Sequence, residues 1–395
     1  MPFVPSHRVL PRAAAICALA LATGLLAAAS RRGAGAETAG FIATLGRDTV
    51  AAESLTVTDD GSMTGVSVVR RAQTTLTRYY TLTLDKDGNL AKFEMASYPT
   101  GVQPGQHPAI HTIWTPQPGA MHEVIRSDSA YALDLLTPPT TLPYLDLGFG
   151  MWQAVTMRLV RSGKDSLSIP MFFVADTTHY ATTVKRIGKD SVMLSSIYGV
   201  AWARIDARGQ ILGYAAPGST QQVVAARLPH VDPKAWAAAF AKLPPLGQLS
   251  PTDTVRATVD GAKVMVIYGR PSMRGRIIFG GVVPWNHWWR TGANAATTLI
   301  TDKDIVIGGA NVPAGEYTLF TLPTPTSWTL IISKLTKEWG TDYDDKMDLV
   351  RVPMTVSALA APVEQLTIAI APRGAGQSLI VSWEKTAAAV TLRPK

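Results

Sequence analysis

The chain has 395 residues, one cysteine and a formal net charge of +8, and 47% of its residues are hydrophobic. That apolar fraction excludes a disordered chain, which cannot bury enough surface to offset the entropy lost on ordering. One cysteine excludes a disulfide-stapled scaffold and a cysteine-rich metal site. A chain of this length predicts two or three domains.

Residues 1–36 have the layout of a secretory signal peptide. Arg8 and Arg12 form a positive start, residues 13–29 form an uncharged run rich in Ala and Leu, and Ala36 ends a small-residue cleavage site. We therefore predict cleavage after Ala36 and a periplasmic or extracellular protein. The alternative is an uncleaved membrane anchor, but the run of 17 residues is short for spanning and two further arginines follow it.

Removing this segment changes the charge balance. The remaining chain has a formal charge of +4 and no cysteine. So mild a charge on an exported protein argues against nucleic acid as a partner. Membrane contact is expected to be peripheral only, or to be made through an uncleaved N-terminal segment.

Residues 37–243 have the pattern of an antiparallel β domain. Residues 81–84 alternate polar and apolar, and a Gly/Asn/Asp turn and a returning apolar strand follow, which is the signature of a hairpin. Two segments with helical features, 145–159 and 233–243, predict one or two helices. This part resembles β-rich envelope domains that form a half-barrel around a helix. We therefore predict a half-barrel-like antiparallel sheet.

Residues 244–252 are predicted to be a Pro-rich linker. Three prolines and a glycine within 244–251 interrupt every periodicity. Residues 253–395 then alternate in short strands separated by Gly and Pro turns, which favours a β-sandwich. The sequence thus predicts a mainly β protein with two β-rich domains.

The second domain carries a long motif that begins at Arg270. It reads RPSMRGRIIFGGVVPWNHWWRTGAN, then an alternating strand, then PAGEYTLFTLP. With Trp339-Gly340 and Val363-Glu364 further on, it resembles a bacterial family catalogued as domain of unknown function 2911. The resemblance covers residues 253–395 and implies an exported bacterial protein with a compact β-rich domain of undefined function. The family usually carries an acid directly after the GAN triplet, where this chain has Ala295.

Four arginines lie close together in this motif. Guanidinium groups bind carboxylates and phosphates through a bidentate fork, so the segment is a candidate pocket for a small polar or anionic ligand. The structural alternative is that Arg270 and Arg290 pair with carboxylates such as Glu316 or Glu364 and pin loops to the sandwich. The candidate binding residues are Arg270, Ser272, Trp285, Trp288, Arg290, Thr291 and Asn294.

Three tryptophans within five residues form a second feature of the motif: Trp285, Trp288 and Trp289. Exposed tryptophan is enriched where proteins bind partners, and it can also stack on a sugar ring. The alternative is that two of them pack into the core and the third is partly covered. Both interpretations stay open at this point.

Metal and catalytic chemistry are weakly indicated. His107 and His111 have a spacing that could hold zinc on a helix, but the nearby prolines argue against a helix there. The aspartates of residues 342–348 lack the glycine and glutamate of a calcium loop. The sequence has no G-x-S-x-G, H-E-x-x-H or P-loop motif. We therefore predict no metal site, no cofactor and no catalytic residue.

The combined features favour a non-enzymatic binding or accessory protein of the bacterial envelope. Its partner would be another envelope or membrane-complex protein, or a small polar or anionic ligand. Two alternatives remain. One is a small-molecule hydrolase with a polar pocket around Arg270, Arg290 and Asn294, and the other is a carbohydrate-binding module.

Overall fold

The computed structural model describes residues 8–9, 36–127, 129–174, 179–196, 199–219, 222–340, 342–373 and 376–395. The predicted signal peptide therefore lies, apart from Arg8, Val9 and Ala36, outside the described residues. The chain forms two compact units, Met1–Gly247 and Gln248–Lys395. The change from one unit to the other falls inside the segment that the sequence assigns to a linker.

The N-terminal unit is built on one sheet of sixteen strands in the part of the chain that the structure describes. These strands are β1 (Arg8–Val9), β2 (Glu37–Leu45), β3 (Asp48–Val57), β4 (Met63–Arg70), β5 (Thr75–Leu84), β6 (Leu90–Pro99), β7 (Ile110–Gln117), β8 (Ala120–Arg126), β9 (Ala130–Leu136), β10 (Leu142–Tyr144), β11 (Ser166–Phe173), β12 (His179–Arg186), β13 (Ser191–Ser196), β14 (Gly199–Ile205), β15 (Ile211–Ser219) and β16 (Val224–Leu228).

The sheet consists of two meanders joined at the centre. Strands β2 to β9 follow one another on one side, strands β16 back to β10 follow on the other, and β2 pairs with β16 where the two sides meet. Neighbouring strands are antiparallel except β10 and β11, which are parallel. Short turns join most neighbours, which is why the hairpin pattern is visible in the sequence.

A helix of 14 residues, α1 (Phe149–Ser162), packs against this sheet. Phe149 stacks on Phe41 of β2, at the centre of the sheet, at a centroid distance of 5.3 Å, and Trp152 packs edge-on to Tyr144 of β10, the last strand of the sheet, at 5.9 Å. Six strands lie between β2 and β10, so the sheet must curve for both strands to contact neighbouring turns of one helix. The predicted half-barrel around a helix is confirmed.

The N-terminus of α1 is capped by a side chain from a different part of the sequence. Gly148 at the N-cap has no side chain that could accept the orphan N–H groups of the first turn. Glu53 of β3, which is 0% exposed, accepts the N–H of Phe149 at 2.6 Å and that of Gly150 at 3.4 Å. Tyr80 of β5 donates its hydroxyl to the same carboxylate. Burial raises the pKa of Glu53 to about 7, although these hydrogen bonds act to lower it.

Tyr80 occupies a slot between two glycines. A Cβ atom at Gly65 of β4 or at Gly150 of α1 would overlap the Tyr80 ring or its hydroxyl. The two glycines therefore provide the space in which the tyrosine reaches Glu53. The helix, β3, β4 and β5 meet at this one point.

Further along, α1 is tied to the opposite half of the sheet. The Thr156 hydroxyl donates to the carbonyl of Gly209 at 2.7 Å, in the turn between β14 and β15. The Gln153 side-chain oxygen accepts from the N–H of Ile211 at 3.3 Å. Near the helix C-terminus, Arg158 donates to the carbonyl of Gly88 at 2.7 Å. Polar links along its length thus complement the apolar packing of α1.

The second helix, α2 (Pro233–Ala241), begins as the sequence predicts. The Asp232 side chain accepts the N–H groups of Lys234 and Ala235, and proline occupies the first helical position. Phe240 is buried, and the Arg70 guanidinium lies 5.7 Å from the centre of its ring. None of the helices among the described residues is long and apolar enough to cross a membrane.

The C-terminal unit is a nine-stranded sheet in the described part of the chain. Its strands are β17 (Thr252–Val259), β18 (Ala262–Gly269), β19 (Thr297–Thr301), β20 (Ile305–Ile307), β21 (Ala310–Val312), β22 (Gly315–Pro323), β23 (Trp328–Ser333), β24 (Asp348–Arg373) and β25 (Gly376–Pro394), with a short 3-10 helix at Asp345–Met347.

The last two strands close this unit around its core. The pairing of β24 with β25 shifts register between Ala358 and Thr367. Beyond that irregularity β24 lies beside the other edge of the sheet, where Ile368 donates its N–H to the Tyr268 hydroxyl of β18 at 2.9 Å. One apolar core lies inside, with Trp328 and Trp383 fully buried. The predicted mainly β fold with two β-rich domains is confirmed.

We expect the stability of the N-terminal unit to depend on pH through Glu53. Its folded pKa of about 7 lies above its ordinary value of 4.5, so its contribution is fully present below pH 4.5 and is lost as the pH rises through 7. Relative to Glu53→Gln at the same pH, the free energy of unfolding of the wild type should fall by about 3 kcal/mol over that interval. Denaturant unfolding at a series of pH values measures this.

Glu94→Gln is the matched control for that series. The hydrogen bond from His111, with help from Lys92, lowers the pKa of Glu94 to about 2. Its contribution is therefore present above pH 4.5 and lost as the pH falls towards 2, which is the opposite sign. A flat difference between wild type and Glu53→Gln from pH 4.5 to 7 would contradict the buried carboxyl described above.

We also expect Gly65→Ala to destabilise the N-terminal unit by about 2 kcal/mol or more, because the added methyl group displaces Tyr80 from its slot. Gly213→Ala is the control in β15. There the nearest atom to an added Cβ is 4.0 Å away, so alanine should be neutral or slightly stabilising. Thermal unfolding followed by circular dichroism distinguishes the two variants, and equal effects would show that the slot has no special role.

Candidate functional site

The predicted site residues lie in the long connection between β18 and β19, residues 270–296. This connection contains no regular strand or helix, and it packs on the C-terminal core through Ile278, Phe279, Val283 and Trp289. These buried hydrophobic side chains anchor the connection on the core. The polar side chains between them are therefore presented from a fixed backbone.

Arg270 acts as a structural clamp. Its guanidinium donates to the Leu366 carbonyl at 3.0 Å, to the Asp253 carboxylate at 3.0 Å and to the Thr367 hydroxyl at 3.1 Å. These bonds join β17, β18 and β24. The structural alternative considered above is therefore realised for Arg270, with Asp253 in place of Glu316 or Glu364.

Ser272 and its neighbours are engaged in the same junction. Ser272 forms an isolated bridge with Gln365, and its carbonyl accepts from Arg276 at 2.8 Å. Arg276 also donates to the Met273 carbonyl at 3.0 Å, and burial lowers its pKa. Arg274 donates its backbone N–H to the Glu364 carboxylate at 3.0 Å. This part of the connection holds the fold together.

The three clustered tryptophans have three different environments. Trp289 is buried, stacks on Trp383 at 5.9 Å and donates its ring N–H to the Gly292 carbonyl at 3.1 Å. Trp285 is half-buried and stacks on Phe279 at 6.0 Å, over Gly280, where a Cβ would overlap the indole. Only one of the three therefore belongs fully to the core.

Trp288 belongs to a separate aromatic group at the surface. It packs on Tyr343 at 5.1 Å and edge-on to Phe320 at 5.7 Å. The Tyr343 hydroxyl donates to Asp348 at 2.9 Å, and Arg351 donates to the same carboxylate at 2.7 Å. Desolvation and the hydrogen bond to Asp348 raise the pKa of Tyr343 to about 12. The partly exposed face of Trp288 is thus supported from below by a rigid cluster.

Within residues 284–294 of this connection, three residues other than glycine have left-handed backbone conformations. Their φ angles are 60° at Asn286, 53° at Thr291 and 64° at Asn294. A β-branched threonine in this region is strained. The Thr291 hydroxyl is buried and lies 3.3 Å from the hydroxyl of Thr321, whereas Asn294 is exposed. Strain of this kind is retained where the surrounding structure overdetermines it, and it clusters at functional sites.

Arg290 differs from Arg270 in having no counter-ion. Within the described part of the chain its guanidinium makes no ion pair, and its Nε atom is buried without a hydrogen-bond partner. Its side chain lies directly on Gly340, where a Cβ would overlap the Arg290 Cδ. Desolvation alone lowers the pKa of Arg290 to about 10. Neither Glu316 nor Glu364 pairs with it.

The structure adds Trp339 to the candidate site. Residues 294–296 pair with residues 338–340, through an N–H of Gly340 that donates to the Asn294 carbonyl at 3.1 Å and a bridge between Ala295 and Trp339. Trp339 is 41% exposed at this bridge. The Trp-Gly pair in the family motif marks its position in the sequence, but its exposure depends on a pairing across more than forty residues.

The residues considered for metal binding serve other contacts. His111 bonds Glu94 at 3.0 Å, and His122 bonds Asp134 at 2.6 Å, so the two imidazoles have different carboxylate partners. Asp344 caps the 3-10 helix. Across the described residues, no group of three or more His, Cys, Asp or Glu side chains is placed to hold a metal ion.

A narrow cleft lies in the N-terminal unit, with a cavity volume of only about 30 Å³. Its walls include aromatic residues that also hold α1: Tyr144, Phe149, Trp152 and Tyr214. A second cleft of about 180 Å³ lies beside Arg158 and Arg161 at the other end of the helix. Neither cleft contains any of the predicted site residues.

Residues 250–392 match the model of a family described as "Protein of unknown function (DUF2911)". This match confirms the resemblance of the C-terminal part, and the N-terminal part has no such match. No curated protein matches the chain. Among solved structures, a DUF1089 family protein from Pseudomonas aeruginosa is 14% identical, with 42% of this chain and 90% of that chain covered at a TM-score of 0.32.

The contrast between the two arginines predicts different effects on stability. Arg270→Gln should destabilise the C-terminal unit by about 2 kcal/mol or more, since it removes charge-assisted hydrogen bonds to three partners. Arg290→Gln should leave stability unchanged or increase it, because it removes a desolvated charge that has no counter-ion. Chemical unfolding followed by tryptophan fluorescence compares the two, and equal losses would contradict this assignment.

Proposed function

We propose that this chain is an exported, non-enzymatic binding protein of the bacterial envelope. Its C-terminal unit would bind an envelope or membrane-complex partner through a surface formed by the loop 284–294 and the facing segment 338–340, here called the Trp/Arg surface. The observation that carries the proposal is the presence, on one rigid pairing, of an exposed tryptophan and an arginine that has no counter-ion among the described residues.

The first support is the aromatic exposure. Trp339 is the most exposed tryptophan of the C-terminal unit, and Trp288 is partly exposed on its own aromatic base. Large aromatic side chains at a surface are typical anchors of protein interfaces, because they bury much apolar area and lose little conformational entropy. The exposed His287 lies against Trp288, with a ring-centroid distance of 5.1 Å, and adds a hydrogen-bonding group beside it.

The second support is the strained loop. Left-handed backbone at Asn286, Thr291 and Asn294 costs free energy that the fold has to supply elsewhere. The cost is largest at Thr291, because a β-branched residue adopts this conformation rarely. A loop that presents Arg290 and the tryptophans in fixed positions reduces the entropy lost on binding.

Binding is favoured over hydrolysis at this surface. The alternative of a hydrolase required Arg270, Arg290 and Asn294 to line a common polar pocket. The Arg270 guanidinium instead bonds Asp253, Thr367 and a carbonyl, and the nearby Thr291 hydroxyl is buried against Thr321. The remaining groups are suited to recognition. A carbohydrate partner remains an outcome that the experiment below can reveal.

Export is the other part of the proposal, and it depends on the sequence of residues 1–36. The positive start, the uncharged run and the small residues before Glu37 follow the order that signal peptidase recognises. Purification from the envelope fraction, rather than from whole cells, is therefore the appropriate source of a partner.

We expect Trp339→Ala to abolish capture of the partner while leaving the fold intact, because Trp339 is exposed and removing it creates no cavity. The measurement is affinity purification of the tagged full chain from solubilised envelope fractions after mild cross-linking, followed by mass spectrometry. Loss of a hot-spot tryptophan typically costs about 2 kcal/mol or more of binding free energy, which is roughly a thirtyfold loss of affinity.

Trp202→Ala provides the matched control. Trp202 lies on β14 of the N-terminal unit and is 48% exposed, so it has similar chemistry and exposure at a different place. This variant should retain the partner. If Trp339→Ala retains the partner and Trp202→Ala loses it, the interface lies in the N-terminal unit. A glycan array that reports sugar binding dependent on Trp339 would replace the protein partner with a carbohydrate.

A further inference from the structure

We propose that Arg290 receives a carboxylate group of the bound partner, so that the Trp/Arg surface recognises an acidic segment. This inference rests on the proposed function, since it names the chemistry of the group that this surface binds. It depends on what surrounds the Arg290 guanidinium.

Arg290 carries the same charge as Arg270, but within the described residues its guanidinium makes no comparable hydrogen bonds. A guanidinium that is largely removed from water loses hydration free energy and normally regains it from a carboxylate or from carbonyl oxygens. Arg270 regains it from Asp253 and two further acceptors. For Arg290, no acceptor within the described residues takes that role, and its Nε atom is buried and unbonded.

The surrounding structure holds the Arg290 side chain in one position. Backbone bonds anchor its neighbourhood: Trp289 and Thr321 exchange two hydrogen bonds of 2.7 and 2.8 Å, and Thr297 donates to the Arg290 carbonyl at 3.3 Å. The aliphatic part lies flat on Gly340, where only glycine leaves room for it. A guanidinium fixed in this way loses little rotamer entropy when a ligand binds.

A carboxylate fits this site better than a phosphate. One guanidinium carries one positive charge, and its planar fork matches two carboxylate oxygens through parallel hydrogen bonds. A phosphate dianion has a larger charge and usually draws several cationic or N–H donors. Burial leaves the pKa of Arg290 at about 10, so the group is fully charged at neutral pH.

One acid of the chain requires separate treatment. Glu338 lies on the facing segment, two residues before Gly340, and both of its carboxylate oxygens are buried without a hydrogen-bond partner. It forms no ion pair with Arg290 within the described structure. If Glu338 turned towards Arg290 in solution, it would occupy the position assigned here to the ligand. The experiment therefore includes Glu338→Gln.

The test uses the full chain with benzoate as the probe and benzamide as its neutral counterpart. Nuclear magnetic resonance follows the Arg290 Nε–H signal, which is identified by its absence in Arg290→Lys. We expect benzoate to shift this signal saturably, benzamide to leave it unmoved, and inorganic phosphate to bind more weakly than benzoate. Arg290→Lys keeps the charge but loses the fork. Its benzoate affinity, compared with that of the wild type by isothermal titration calorimetry, should be about tenfold weaker.

Arg351→Gln is the matched control, because Arg351 lies beside the same aromatic cluster but already has Asp348 as its partner. It should leave benzoate binding unchanged. The inference is overturned if benzoate does not move the Arg290 signal, if phosphate binds more tightly than benzoate, or if only Glu338→Gln binds benzoate. In each of these cases, partner capture that depends on Trp339 would still support the proposed function. Conversely, benzoate binding at Arg290 with normal capture by Trp339→Ala would refute the proposed interface alone.

Discussion

The N-terminal unit depends on one carboxyl group at the start of α1, the longest helix among the described residues. Glu53 of β3 accepts the first N–H groups of α1 and the Tyr80 hydroxyl at the same time. Helix termini carry unsatisfied donors, and the oxygens of Glu53 satisfy two of them, although burial raises its pKa to about 7. Because the cap comes from the sheet, helix and sheet cannot separate without exposing buried polar groups. The glycines at 65 and 150 are consequences of this arrangement, since the tyrosine needs their space.

The C-terminal unit shows how the environment decides the role of a charge. Arg270 and Arg290 belong to one motif, and each lies next to a strand of the same sheet. The first is surrounded by acceptors from β17 and β24 and holds the fold together. The second lies on a glycine without a counter-ion. An unpaired desolvated charge is a cost in the isolated protein, and an incoming carboxylate can remove that cost.

Much of the fold could be predicted from local patterns, and less of the site. Alternation with period two and Gly or Asn turns reveals strands such as β5 and β6, because sheet faces and hairpin turns constrain residues close in sequence. Asp232 and a proline mark the start of α2 for the same reason. The cap of α1 had no such signal, since Glu53 lies 96 residues before Phe149. Among the clustered tryptophans, only packing shows that Trp289 is the buried one.

The sequence by itself determined the mainly β character and the family resemblance of the second part, and it predicts the division within residues 244–252. Each of these depends on residues that are close in sequence. Alternation indicates the strands, the Pro-rich segment indicates the division, and the long motif indicates the family. Tertiary structure alone decided which arginine is neutralised, which tryptophan is exposed and which acid caps the helix. Those properties depend on partners such as Asp253, Gly340 and Glu53, which are distant in sequence. Burial and counter-ions are properties of the folded neighbourhood, so no local pattern of residue types contains them.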